Sequence, residues 1–346
     1  MNFANHLAYM LTFAVILMLT ACQFSQHAKA QPKPSSNSKL VFITSSDLVE
    51  PEFSGCMPAD QEGRFWIASD ENKKVIWQFN SSGDFESEFS WDGKRLNDLE
   101  GLAADGNGGF FAITSQSLNS DKDSKKSRNR LTHFKDFSFD EGDRRTVSRF
   151  RDTLIANFNW TQEALRKKSK KGGIDIEGLA YDPLNDRMWF GFRGPLVKGN
   201  SATPAIDHAL LIQLDRALID WDPEDRTPPL QFSWAADGPL KLDLGGHGIR
   251  DLYYLGKDRL LILSGLTDSN PAGSQPPCKL WTLNTQTGDL NLIREIPQVP
   301  SRAGDSSSWS AAEGICLIKS NGAEKLLVVY DSKHSGIFQI MDLPAR

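Results

Sequence analysis

One short pattern recurs along the chain and constrains its fold more than anything else in it. A variable residue X precedes a glycine and an apolar strand; a polar turn and a second apolar strand follow. Leu99-Glu100-Gly101-Leu102-Ala103 runs through DGNGG into an apolar stretch at 110–114. Ile176-Glu177-Gly178-Leu179-Ala180 runs through DPLNDR into 188–192. Ala312-Glu313-Gly314-Ile315-Cys316 and Phe53-Ser54-Gly55-Cys56-Met57 repeat the arrangement. A fifth copy is read at Gly246-His247-Gly248-Ile249, leading through GKDR to 260–263. The X positions are then Ser54, Glu100, Glu177, His247 and Glu313.

Third apolar strands follow at 75–79, 210–214, 280–283 and 336–340. Repeated units of short antiparallel strands point to an all-β fold, a β-propeller. Five blades is the reading, although residues 117–172 are long enough to hold a sixth. The last copy runs out before a fourth strand, and residues 40–44 form an unassigned strand at the other end. That N-terminal strand is expected to complete the last blade and close the ring. Trp66, Trp189, Trp77 and Trp281 fall at matching strand positions and are expected to pack between blades.

The first 22 residues contain no Lys, Arg, Asp or Glu, and 10–20 form an apolar run. The run is too short for a permanent bilayer span and fits a signal peptide. Leu19-Thr20-Ala21-Cys22 resembles the lipobox of bacterial lipoproteins, which implies acylation at Cys22. The segment before the apolar run departs from that pattern, with only the α-amino group and His6 in place of Lys or Arg. Gln23, where an Asp retains such proteins in the inner membrane, implies an outer-membrane anchor facing the periplasm. The expected division is a signal peptide at 1–21, a lipidated Cys and polar tether at 22–39, and a propeller at 40–346. A net charge of −5 argues against nucleic acid as the main partner. The expected protein is a monomer that meets a small anionic molecule or a protein. Cys56, Cys278 and Cys316 remain, an odd number that implies no disulfide framework and at most one bridge. Buried thiols are the expected state.

In a propeller the first strand of each blade lines the central channel, so the five X residues are expected to circle one mouth. The glycine after X suits a place where converging strands leave no room for a Cβ. Alternation puts Asp98 beside Glu100 and Asp175 beside Glu177. Two carboxylates about 6 Å apart repel by roughly 3 kcal/mol at an effective dielectric near 20. A cation held by Ser54, Glu100, Glu177 and Glu313 would offset this. Hard oxygen ligands favour Ca²⁺ or Mg²⁺, and His247 in the circle moves the choice towards Mn²⁺ or Zn²⁺. Arg193 and Arg250 are the basic groups at hand for an anion, with His247 or Asp98 to handle a proton. Two functions fit: a metal-dependent hydrolase of phosphate-ester-like anions, or a non-enzymatic binding propeller whose glutamates only tie blades together. Gly304-Asp305-Ser306 lacks the strand–helix context of a hydrolase nucleophile, and HExxH, GxSxG and P-loop motifs are absent from the sequence. The charged stretch 119–130 and a short helix beginning at Trp160, capped by Thr161 and ending in a basic run, read as solvated insertions.

The chain also resembles a family of bacterial secreted proteins described as a domain of unknown function. The resemblance rests on Asp175-Ile176-Glu177-Gly178-Leu179-Ala180, Trp189-Phe190-Gly191-Phe192-Arg193-Gly194-Pro195, Gly248-Ile249-Arg250-Asp251-Leu252 and Ala312-Glu313-Gly314-Ile315. It covers most of 40–343 and implies no activity. More distantly, the Glu-Gly-apolar blade starts are similar to those of phytase-like esterase propellers. The five-position ring is similar to that of calcium-activated nucleotidases. That likeness implies calcium ligands or neighbouring groups at Ser54, Glu100, Glu177 and Glu313, and His247 departs from it.

Overall fold

The computed structural model describes residues 38–43, 48, 52–118, 124–137, 144–157, 167, 173–198, 207–216, 239–267, 276–303, 308–332 and 335–343. The chain divides into Met1–Ser36 and Asn37–Arg346, and the described residues all lie in the second unit. The signal peptide, Cys22, most of the tether, the helix expected from Trp160 and residues 304–307 lie outside them.

Strand β1 (Lys39–Ile43) is followed by blade 1, β2 (Phe53–Pro58), β3 (Phe65–Ser69), β4 (Val75–Phe79) and β5 (Phe85–Ser90). Blade 2 comprises β6 (Leu99–Ala104), β7 (Phe110–Thr114), β8 (Arg130–Phe134) and β9 (Arg144–Ser148), and a helix, α1 (Phe150–Asn157), leads out of it. Blade 3 comprises β10 (Asp175–Asp182), β11 (Arg187–Gly194), β12 (Val197–Lys198), β13 (Asp207–Asp215) and β14 (Leu240–Leu242). Blade 4 comprises β15 (Gly248–Gly256), β16 (Arg259–Gly265), β17 (Cys278–Asn284) and β18 (Leu290–Ile296). A small ribbon, β19 (Val299–Pro300) with β20 (Trp309–Ser310), precedes β21 (Ala312–Ser320), β22 (Ala323–Tyr330) and β23 (Gly336–Asp342) of blade 5. The fourth strand of blade 5 is β1, whose Val41 pairs antiparallel with Phe338 of β23. The fold is a five-bladed β-propeller closed by its N-terminal strand. The stretch from 117 to 172 contributes β8, β9 and α1, not a sixth blade.

The second strand of each blade explains why the sequence makes a ring. It is apolar on both faces because each face meets a different neighbour. On β7, Phe110 and Ala112 pack towards blade 1 while Phe111 and Ile113 pack towards blade 3. On β22, Val328 and Tyr330 face blade 4 while Leu327 and Val329 face blade 1. Five wedge-shaped cores result, one between each pair of successive blades. Trp66 lies in the wedge between blades 1 and 2, Trp189 in that between blades 3 and 4.

Every first strand carries a β-bulge near its start, and that bulge sets the ring. The register skips Ser54 between Phe53 and Gly55, Glu100 between Leu99 and Gly101, Glu177 between Ile176 and Gly178, and Glu313 between Ala312 and Gly314. An unpaired bulge residue turns its side chain out of the ladder. In blade 4 the skipped residue is Arg250, between Ile249 and Asp251. The expected assignment of His247 to the ring is therefore corrected: Ile249-Arg250-Asp251-Leu252 is the counterpart of Ile176-Glu177-Gly178-Leu179. Gly55 shows what the ring demands of the next residue, since a Cβ there would lie 2.5 Å from the Glu100 carbonyl oxygen.

Candidate functional site

The bulges bring Ser54, Glu100, Glu177, Arg250 and Glu313 to one end of the channel. The residue that follows each second-strand partner adds a second set at the same end: Asp70, Ser115, Arg193, Gly265 and Asp331. The mouth is electrically lopsided. Its two ring-lining arginines come from blades 3 and 4, and carboxylates crowd blades 5, 1 and 2.

On the arginine side the charges are matched. Arg193 donates from Nη1 to Glu177 Oε1 at 2.5 Å, with Asp175 at 4.0 Å. Arg250 donates from the same kind of nitrogen to both oxygens of Glu313, with Glu177 Oε2 at 3.5 Å, and from Nη2 to the Leu266 carbonyl at 3.1 Å. Burial disfavours the charge of Arg250, yet Glu313 and Glu177 more than offset it and raise its pKa. One guanidinium thus joins the ring glutamates of the blades on either side. Asp251, buried beside it, accepts the backbone N–H of Ile315 and of Leu252, each at 2.7 Å.

On the opposite side Glu100 and Asp70 are set among other carboxyls. Burial, then Asp98, Glu177, Asp70 and Asp175, push Glu100 well above the usual carboxylate range. Burial, then Glu52, Asp331, Asp98 and Glu71, push Asp70 up to about 8. Asp70 Oδ1 is buried and accepts no hydrogen bond among the described residues. Ligand oxygens of Glu52, Asp70 and Glu71 lie within 4.8 Å of one another, a spacing that could hold a metal ion. Glu71 also lines an open cleft of about 470 Å³ whose walls include Lys73, Lys74, Arg95 and Glu88.

The residues expected to ligate a cation do not converge. Ser54 Oγ donates to the Leu99 carbonyl at 2.5 Å, which ties blade 1 to blade 2. Glu177 and Glu313 are engaged by Arg193 and Arg250, leaving Glu100 alone of the three glutamates without a described basic partner. Asp98 accepts from Ser115 and Ser117 and pairs with Arg128 at 2.9 Å. His247 is buried, and burial followed by Lys279 lowers its pKa, so the imidazole is neutral. Its charged neighbours are Lys279 of β17, the ring residue Arg250 and Glu295 of β18. Glu52, Asp70 and Asp251 were not among the expected site residues. Asp70 and Asp331 could have been found by aligning the second-strand ends Ser69-Asp70, Phe192-Arg193 and Tyr330-Asp331.

These features define a five-bladed propeller with a polar channel mouth divided into an arginine-matched half and a carboxyl-rich half. The chain belongs to a family described as "Protein of unknown function (DUF3616)", whose model matches residues 150–337. No curated protein matches the chain. A solved structure of a luciferin-regenerating enzyme is similar at 10% identity and a TM-score of 0.42, covering 88% of this chain and 96% of that one.

Proposed function

We propose that the protein is a cation-dependent hydrolase of a small phosphate-ester-like anion, acting at the blade 1 side of the channel mouth. The observation that carries this reading is the sharing of Glu71 between the Glu52–Asp70–Glu71 carboxylates and the cleft that holds Lys73, Lys74 and Arg95. A cation-holding group and an anion-attracting group thereby adjoin. Glu52, Asp70 and Glu71 would hold a divalent ion, with Ca²⁺ or Mg²⁺ favoured by an all-oxygen donor set. Such an ion polarises a phosphoryl oxygen and makes bound water a better nucleophile. Lys73, Lys74 and Arg95 hold the anionic group. Glu100 faces Asp70 and, kept protonated by the carboxyls around it, serves as the proton donor to the leaving group. Arg193 and Arg250 order the ring. The lipobox-like Leu19-Thr20-Ala21-Cys22 supports an envelope lipoprotein anchored through Cys22 and facing the periplasm.

The test is metal analysis and a phosphoester panel on purified protein. One bound divalent ion, lost in Asp70→Asn and retained in Glu100→Gln, with turnover lost in both, supports the reading. No bound ion, melting unchanged by chelation and no turnover would leave the second reading, a non-enzymatic binding propeller. That reading is favoured by the cross-blade bonds of Ser54, Arg250 and Asp251, which serve the ring alone.

A further inference from the structure

Two cysteines meet where the ring closes. Cys56 lies on β2 of blade 1 and Cys316 on β21 of blade 5, and both are buried in the wedge those blades share. Their backbones are in contact just before the thiols: a Cβ on Gly314 would stand 2.9 Å from the Gly55 Cα. The Cys316 thiol is close enough to act on that of Cys56, and both cysteines are free in this structure. Cys278 sits elsewhere, in the wedge between blades 4 and 5, where its thiol donates to the Ala312 carbonyl at 3.7 Å.

We propose that Cys56 and Cys316 are a redox pair that oxidises to a disulfide as the ring closes, locking blade 5 to blade 1 beside the channel axis. The oxidant is a disulfide-bearing molecule, as an exported protein meets. One cysteine thiolate attacks the oxidant and releases the first reduced thiol; the second cysteine then attacks the mixed disulfide and releases the other. Two protein thiols are oxidised, one oxidant disulfide is reduced to two thiols, and the protons pass to those thiols. Burial in the finished ring disfavours the Cys56 thiolate, so exchange belongs to folding, and the bond once made is shielded from reductant. Bridging the first and last blades constrains the unfolded chain through a very long loop.

The experiment uses the full chain, unfolded and reduced, then refolded in a glutathione redox buffer, so it does not depend on export or on the proposed activity. After acid quench and denaturation, free thiols are alkylated and the digest is read by mass spectrometry before and after reduction. The expected result is alkylated Cys278 with Cys56 and Cys316 in one cross-linked peptide pair that separates on reduction. In Cys56→Ser the Cys316 thiol becomes alkylated or glutathionylated, and Cys278→Ser changes nothing. Recovery of wild-type Cys56 and Cys316 alkylated before reduction, or as separate glutathione adducts, overturns the proposal. So does pairing that involves Cys278.

Discussion

The Asp251 carboxylate accepts the Ile315 backbone N–H at 2.7 Å, a bond from the first strand of blade 4 to that of blade 5. Its other oxygen accepts the Leu252 N–H at the same distance, and the Leu179 N–H of blade 3 is also directed at it. Asp251 occupies the position that is glycine in the other four blades. Asp251→Ala strands buried donors in successive blades. A loss of about 2–4 kcal/mol is expected, from hydrogen bonds to a carboxylate plus unsatisfied donors, read as a lower urea midpoint at unchanged m-value.

Arg250 carries the opposite liability. Arg250→Gln leaves Glu313 and Glu177 buried against each other, which costs about 3–5 kcal/mol for a broken buried pair. Adding Glu313→Gln removes one of the orphaned charges and restores part of the stability. Strict additivity of the two substitutions in a double-mutant cycle would show that the contact is not coupled.

The buried carboxyls of the mouth make stability depend on pH. Burial, then Glu177, raise the Asp175 pKa above its unfolded value, with Arg193 opposing. Above an unfolded pKa of about 3.9 the folded state therefore holds a proton the unfolded chain has lost. Stability from this group is full below that pH and falls as pH rises towards the folded pKa. Melting temperature in chelator is expected to drop as pH rises above about 4, and Asp175→Asn to flatten that slope. A slope unchanged by the substitution would place the proton elsewhere.

Neighbouring residues on β2 separate a bond from a fit. Ser54→Ala loses the hydrogen bond to the Leu99 carbonyl and costs about 1 kcal/mol. Gly55→Ala drives a methyl to within 2.5 Å of the Glu100 carbonyl, where backbone must yield, and costs about 1–3 kcal/mol or more. Thermal unfolding of the two variants checks the order.

Much of the ring was legible in the sequence because the glycine after X is a steric requirement. It stands next to Ser54, Glu100, Glu177 and Glu313, and those four fall on bulges. Blade 4 was misread because it meets the same requirement differently. Asp251 replaces the glycine, and the nearest X-Gly pair, His247-Gly248, lies three residues early. Apolar periodicity alone does not reveal a bulge, so the sequence placed an imidazole where the fold puts a guanidinium. The pairing of charges was equally hidden. Glu177 and Arg193 sit on adjacent strands of one blade, but Arg250 and Glu313 come from different blades, and only the packing of blade 4 against blade 5 brings them together. The fourth strands β9 and β14 escaped notice because Arg144–Ser148 and Leu240–Leu242 are short and carry little apolar alternation.

The pairing of β1 with β23 also has a bearing on time. Strand β1 is made before the rest of the ring but used after it, since its partner from Gly336 to Asp342 follows the other four blades. Until then β1 presents an open edge to any other extended segment. Contacts this distant in sequence form slowly. A circular permutant that begins at blade 1 and carries β1 behind β23 would turn this last, long-range step into a local hairpin, and it should fold faster than the natural order.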